Sequence, residues 1–203
     1  MRDVNENTIL IATNNPGKAR EYAELFGAYG LEVKTLKDFT EIPAIVEDGK
    51  TFTENARKKA QTLSDALGVA ALADDSGLVV DALNGEPGIY SARYAGDHDD
   101  AANNRKLLAN LKELPTEKRT AHFHCSIVVT RPGKEELVAS GDANGLILEE
   151  AKGAGGFGYD PLFYYPPLKK TFAELSQSEK NEVSHRGIAT RALMKKFANW
   201  WEE

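Results

Sequence analysis

Asp74 and Asp75 stand side by side in Ala73-Asp74-Asp75-Ser76-Gly77-Leu78, directly after the apolar run Val69 to Ala73. Two adjacent carboxylates repel unless something cationic sits near them. Mg²⁺ suits such a pair, because it takes oxygen ligands, keeps several waters and bridges protein carboxylates to phosphates. A carboxylate beside the ion can also take a proton from an attacking water. Neighbouring strand residues point to opposite faces, so the two acids need not share a task. The same residues also fit an Asx-type turn that caps backbone N–H groups. Upstream, Glu47 and Asp48 precede Gly49, and Asn55 and Lys59 lie four apart on one helix face. They offer an acid for a metal and a lysine for a phosphate, although each also fits a solvated surface.

A second cluster is Thr13-Asn14-Asn15-Pro16-Gly17-Lys18, which leaves a strand, turns through Pro-Gly and enters a helix with a lysine in its first turn. Helix N-termini present unpaired N–H groups and partial positive charge, so this arrangement suits a phosphate. An ordinary strand-to-helix turn with a solvated lysine fits equally well, and the spacing is not that of a Walker loop. Gly153-Ala154-Gly155-Gly156-Phe157-Gly158 matches the dinucleotide spacing G-x-G-x-x-G, but the prolines and tyrosines that follow forbid the required helix. It reads instead as a loop where backbone approaches a ligand, with Phe157 to stack and Asp160 to accept hydrogen bonds. Ser184-His185-Arg186-Gly187 enters the final helix, Ser184 as N-cap and the two cations as donors to an acceptor-rich ligand. His122 and His124 share one strand face, but without enough further His or Cys they do not complete a zinc site.

The elements that must position these residues follow from periodicity. Thr8 to Thr13 reads as a strand. A helix then carries Tyr22, Leu25, Phe26 and Tyr29 at three- and four-residue steps and stops at Gly27 and Gly30, before a strand at Leu31 to Leu36. Thr51 with Glu54 has the capping-box spacing, and Phe52, Ala56, Ala60, Leu63 and Leu67 supply a buried stripe that ends at Gly68. Val69–Ala73 and Leu78–Ala82 read as two strands meeting at the acidic turn. Later elements are a helix at Ala101–Leu111, strands at His122–Thr130, Glu136–Asp142 and Gly145–Glu150, and a helix from His185 to Trp201. The order predicts an α/β (mixed α+β) fold around a long, twisted, mixed sheet flanked by helices, one domain over residues 1–203.

With 25 Lys+Arg against 31 Asp+Glu, the net charge of −6 argues against a nucleic-acid backbone as partner, since that binding draws on surplus cations. A single phosphorylated small molecule needs only a few local cations. Cys125 is the one cysteine, no apolar leader is evident and no stretch has the length of a membrane helix. The expectation is a cytoplasmic protein without membrane contact.

Taken together, the five ordered blocks resemble the inosine/xanthosine triphosphate pyrophosphatases, the house-cleaning non-canonical purine nucleotide pyrophosphatases. The blocks are Thr13 to Lys18, Ala73 to Leu78, Pro87-Gly88-Ile89-Tyr90-Ser91-Ala92-Arg93-Tyr94, Gly155 to Pro161 and Ser184 to Gly187. Asn14 departs from the Gly that many members carry. The resemblance implies Mg²⁺-dependent hydrolysis of ITP, dITP and XTP to the monophosphate and pyrophosphate, in a homodimer whose subunits have two lobes flanking a cleft. It implies Asp75 as catalytic base and metal ligand, with Glu47 and Asp74 completing the metal's protein ligands. Thr13, Asn14, Asn15, Pro16, Gly17, Lys18, Asn55, Lys59 and Ser76 would hold triphosphate and sugar. Phe157, Gly158, Tyr159, Asp160, Lys180, His185 and Arg186 would line the base pocket. Alternatives are a nucleotide-binding module without turnover and a pyrophosphatase for other modified nucleotides.

Overall fold

The structure, a computed structural model, describes residues 7–13, 16–96 and 99–202, the side chains of residues 16–18 and 21 excepted. Its described strands form one sheet in the order β2-β1-β3-β4-β5-β6-β7. β1 (Thr8–Ile11) is buried along its whole length, as a strand inside a parallel region must be, and pairs in parallel with β2 (Glu32–Thr35) and β3 (Ala70–Val80). β4 (Thr120–Arg131) and β5 (Lys134–Ile147) are joined by Pro132-Gly133, a two-residue turn eased by the φ of +75° at Gly133. β6 (Phe163–Tyr165) and β7 (Lys170–Thr171) complete the sheet with antiparallel pairing. The mixed α/β class read from the sequence is the class found.

The chain divides into two compact units. The first holds residues 1–75, 126–139 and 192–203. Here α1 (Pro16–Gly27) buries Tyr22 and Phe26, and Phe26 meets Phe197 of α5 (His185–Glu202) at 4.8 Å between ring centroids. Tyr29 lies beyond the end of α1 and presents an exposed ring that meets Phe197 edge-on. α2 (Phe52–Leu67) starts at Thr51, whose hydroxyl accepts the Glu54 N–H, and stops at Gly68 in the left-handed conformation, φ +67°. The Glu54 carboxylate reaches one residue further back than a capping box requires, to the N–H of Lys50 at 2.7 Å. Ala56 and Ala60 are small enough to bring α2 close over Ala73 and Val128. Thr53 shares a hydrogen bond with Ser126, and Arg57 forks onto the Glu136 carboxylate at 2.6–2.9 Å, which fixes the helix against β4 and β5.

The second unit holds residues 76–125 and 140–191. Its core stacks Phe123, Phe163 and Phe172, with centroids 4.7–5.7 Å apart, and adds Leu78, Val80, Tyr159, Leu162 and the buried face of α3 (Asp100–Leu111). α4 (Gln177–Val183) is a helix that periodicity did not suggest, although Ser176 and Glu179 form a full capping box before it.

Two expectations are corrected. Asp74-Asp75-Ser76-Gly77 is not a turn: β3 runs straight through it for eleven residues. Among the described residues β1 pairs with β3 only at Ala70–Leu72, and beyond it β3 continues as the neighbour of β4, strand pairing outweighing the local turn preference of Asp, Ser and Gly. Likewise Glu136–Asp142 and Gly145–Glu150 are not two strands, because β5 is continuous from Lys134 to Ile147. Its glycines serve packing instead of turning. A Cβ on Gly141 would stand 2.5 Å from both the His185 carbonyl and the Ala189 nitrogen, and one on Gly145 would strike the Phe163 ring. No helix among the described residues is long and apolar enough to cross a membrane.

Gly141→Ala therefore forces the first turn of α5 off β5. It should destabilise the protein by about 1–3 kcal/mol, read as a lower thermal midpoint, whereas Ala on the open, positive-φ-free Gly27 should change it little.

Candidate active site

In the first unit, Asp75 is the centre of a charged cluster. Its side chain is 16 % exposed, and Asn55 Nδ2 donates to Asp75 Oδ2 at 3.1 Å. Lys59 Nζ stands 4.0 Å from Asp75 Oδ1 and 3.2 Å from Glu47 Oε2, so one ammonium faces two carboxylates. Asn55 and Lys59 reach Asp75 together because they are one helical turn apart on α2. The other amide atom of Asn55 is also used: Oδ1 accepts the Gly49 N–H at 2.8 Å. Asn55 is thus buried, with both amide groups spent inside the protein. It holds Asp75 with one and the Glu47 loop with the other. Gly49 has to be glycine, since a Cβ there would stand 2.6 Å from Asn55 Oδ1. The Lys50 N–H on Glu54 and the ion pair of Lys58 with Asp48 tie down the rest of the loop.

Burial pushes the Asp75 carboxyl above its ordinary pKa, with smaller upward contributions from Glu47 and Asp74. Lys59 and the Asn55 hydrogen bond oppose it without winning. Asp74 stays close enough to act on Asp75 but belongs to the other face of β3. Among the described residues no group of three or more His, Cys, Asp or Glu side chains is clustered as a metal site. The donors that do converge are the oxygens of Glu47 and Asp75.

Thr13 follows β1, half-buried, with its N–H on the Ile11 carbonyl. Asn14, Asn15 and the side chains of Pro16, Gly17 and Lys18 lie outside the described residues. Ser76 shares the face of β3 that carries Asp74. His124 Nδ1 pairs with Asp142 Oδ1 at 2.7 Å, a strand imidazole with its own partner.

The second unit holds the other predicted residues, and Asp160 and Lys180 meet at the glycine loop. Asp160 is almost completely buried, and its Oδ2 accepts both the Phe157 N–H at 2.8 Å and the Lys180 ammonium at 2.5 Å. Asp160 therefore braces the loop. Gly156, φ +72°, leaves room for that carboxylate, and Gly153, φ +85°, lies against the Ala173 backbone. Phe157 is 57 % exposed, and the Lys180 ammonium lies 4.8 Å from its ring centroid. Burial drives the Tyr159 phenol far up, so its hydroxyl stays a donor, to the Ser91 carbonyl at 2.8 Å. His185 is buried and stacked on Phe123, rings 4.8 Å apart and 16° from parallel. The Ser184 hydroxyl caps α5 by accepting the Gly187 N–H, and Gly187 has no room for a side chain beside the Asn181 carbonyl. Arg186 is left half-buried in the first turn. Ser91 and Asn103, to which the sequence assigns no role, both bind backbone groups. Ser91 Oγ accepts the Leu78 N–H and donates to the Gly88 carbonyl, and Asn103 collects the N–H groups of Ala95 and Gly96.

A carboxyl whose pKa is raised by folding adds stability below its unfolded pKa and loses that stability as pH rises through the folded one. Ionised Asp75 therefore destabilises the metal-free protein at neutral pH. Asp75→Asn should raise the thermal midpoint in EDTA at pH 7, and the difference from wild type should shrink as pH falls towards the ordinary carboxyl range. Melts across that interval check the sign.

Residues 9–196 match the model of the Ham1 family. The dITP/XTP pyrophosphatase of Lactiplantibacillus plantarum is 55 % identical over 194 residues, 96 % of either chain, and that of Bacillus cereus is 51 % identical over 196 residues, 95 % of this chain and 96 % of its own. The Staphylococcus aureus Ham1 protein superposes with a TM-score of 0.89 at 42 % identity, covering 95 % of this chain and 98 % of that one. A HAM1 protein from Coxiella burnetii gives 0.88 at 39 % identity with the same coverage. The agreement spans both units, and the chain belongs to the Ham1 family.

Proposed function

We propose that this chain is a cytoplasmic, homodimeric hydrolase that cleaves non-canonical purine nucleoside triphosphates, dITP, XTP and ITP, to the monophosphate and pyrophosphate. The observation that carries the reading is the buried Asp75 carboxylate, held by Asn55 and faced by the ammonium of Lys59, in a chain half identical to dITP/XTP pyrophosphatases along nearly its full length.

The donor set fits Mg²⁺. Glu47 and Asp75 already turn oxygens towards one shared cation, and burial keeps the Asp75 carboxyl above its ordinary pKa despite Lys59. These two carboxylates would hold the ion, which supplies charge neutralisation on the phosphates. Asp75 accepts a proton from, or orients, the water directed at the α-phosphorus. Asn55 keeps the carboxylate from rotating, and its own anchor on Gly49 keeps Glu47 in register with it. Lys59 places positive charge beside the developing phosphate charge, a role that Lys18 shares. In the second unit Phe157 offers a stacking face, and Arg186 a donor to the 6-oxo group of hypoxanthine or xanthine. Adenine presents an amino group there, which leaves a donor facing a donor.

Pyrophosphate release with Mg²⁺ should be faster for dITP, XTP and ITP than for GTP and ATP. Asp75→Asn should lower kcat by about 10²–10⁴ with an unchanged circular dichroism spectrum. Wild-type turnover in that variant would remove the assignment. Arg186→Ala should raise KM for ITP far more than it alters the small ATP activity, and equal losses on both would place Arg186 on phosphate instead.

A further inference from the structure

We propose that Asp100 and Asn104 are positioning residues for nucleobase recognition: they grip Gly158 by both of its backbone groups and so fix how Phe157 presents its ring. The proposal rests on the function argued above, in which Phe157 stacks on the base.

The two side chains lie one turn apart on the same face of α3. Asp100 Oδ2 accepts the Gly158 N–H at 2.7 Å, and Asn104 Nδ2 donates to the Gly158 carbonyl at 2.9 Å. No strand or helix satisfies Gly158, so these side chains do what a ladder would do elsewhere. Asp100 also stands in the first turn of its helix, where the backbone dipole favours a carboxylate.

The grip is firm because α3 is itself tied down. Asp99 caps it through the Ala102 N–H, and the buried Asn103 joins it to Ala92, Ala95 and Gly96. On either side of Gly158, the Phe157 N–H goes to Asp160 and the Tyr159 hydroxyl to Ser91. The backbone from Phe157 to Asp160 is therefore fixed, while the Phe157 ring remains exposed beneath the Lys180 ammonium. Gly158, at φ +60°, is the most permissive residue type, and without the grip nothing in its own chemistry would hold it. A stacking face that drifts weakens binding of the base, and it leaves untouched the carboxylate and ammonium side chains of the first unit. The signature is a loss in KM with kcat preserved.

The test uses the full-length chain and two kinds of variant. Asp100→Ala removes an acceptor, and Asn104→Asp turns a donor into an acceptor facing a carbonyl; both should raise KM for dITP about tenfold or more, with kcat within about twofold of wild type. Asp100→Asn keeps an acceptor oxygen in place and should recover most of the loss, which general destabilisation would not do. In the nucleotide-free protein, exchange of the Gly158 amide proton should quicken in Asp100→Ala and stay near wild type in Asp100→Asn. Unchanged KM for dITP in Asp100→Ala and Asn104→Asp overturns the proposal, as does an amide that exchanges no faster in Asp100→Ala. Wild-type protein without dITP turnover would defeat the functional reading itself, a result separable from these because amide exchange needs no substrate.

Discussion

A carboxylate withdrawn from water has to be held by hydrogen bonds and opposite charge, and the first unit is arranged around meeting that demand at Asp75. Asn55 supplies the hydrogen bond, Lys59 the charge, and both come from one face of α2. The helix can deliver them because its alanines let it lie close to the sheet and because Arg57 and Thr53 lock it to Glu136 and Ser126. The demand is met only in part. Burial still holds the carboxyl above its ordinary pKa.

The second unit answers a different requirement, an aromatic surface exposed to solvent on a backbone that does not move. Its loop would be mobile by composition, since Gly153, Gly155, Gly156 and Gly158 follow each other within six residues. Mobility is removed from outside. Asp160 binds the loop to Lys180, Tyr159 anchors it to Ser91, and α3 takes hold of Gly158. Gly153, Gly155 and Gly156 are needed for what lies against them, the Ala173 backbone and the Asp160 carboxylate, and the match to a dinucleotide fingerprint is a coincidence of spacing.

Much of this was legible in the residues. The Thr51 cap, the αL stop at Gly68 and the Asn55–Lys59 spacing all encode short-range geometry, and Ser184 announces α5 in the same way. What stayed hidden depends on partners distant in sequence. Asp74 to Gly77 has the composition of a turn, and only its place in a strand that runs on beside β4 keeps it extended. The sequence divides β5 into two strands, and nothing local shows that Gly141 and Gly145 make room for α5 and Phe163. The resemblance gives Asn55 to the triphosphate and sugar, and only the fold shows that its buried amide also links Asp75 to Gly49. Asp100 and Asn104 carry no motif at all, because a grip on a backbone 54–58 residues away leaves no local pattern.

The central claim is that Asp75 is a buried carboxylate whose burial outweighs its cationic partner. Carbon-13 NMR titration of the Asp75 carboxyl carbon in the metal-free protein measures this directly. The midpoint should lie above the ordinary aspartate range and climb further in Lys59→Ala, where the opposing charge is gone. A midpoint at or below that range, or one that ignores Lys59, would contradict it.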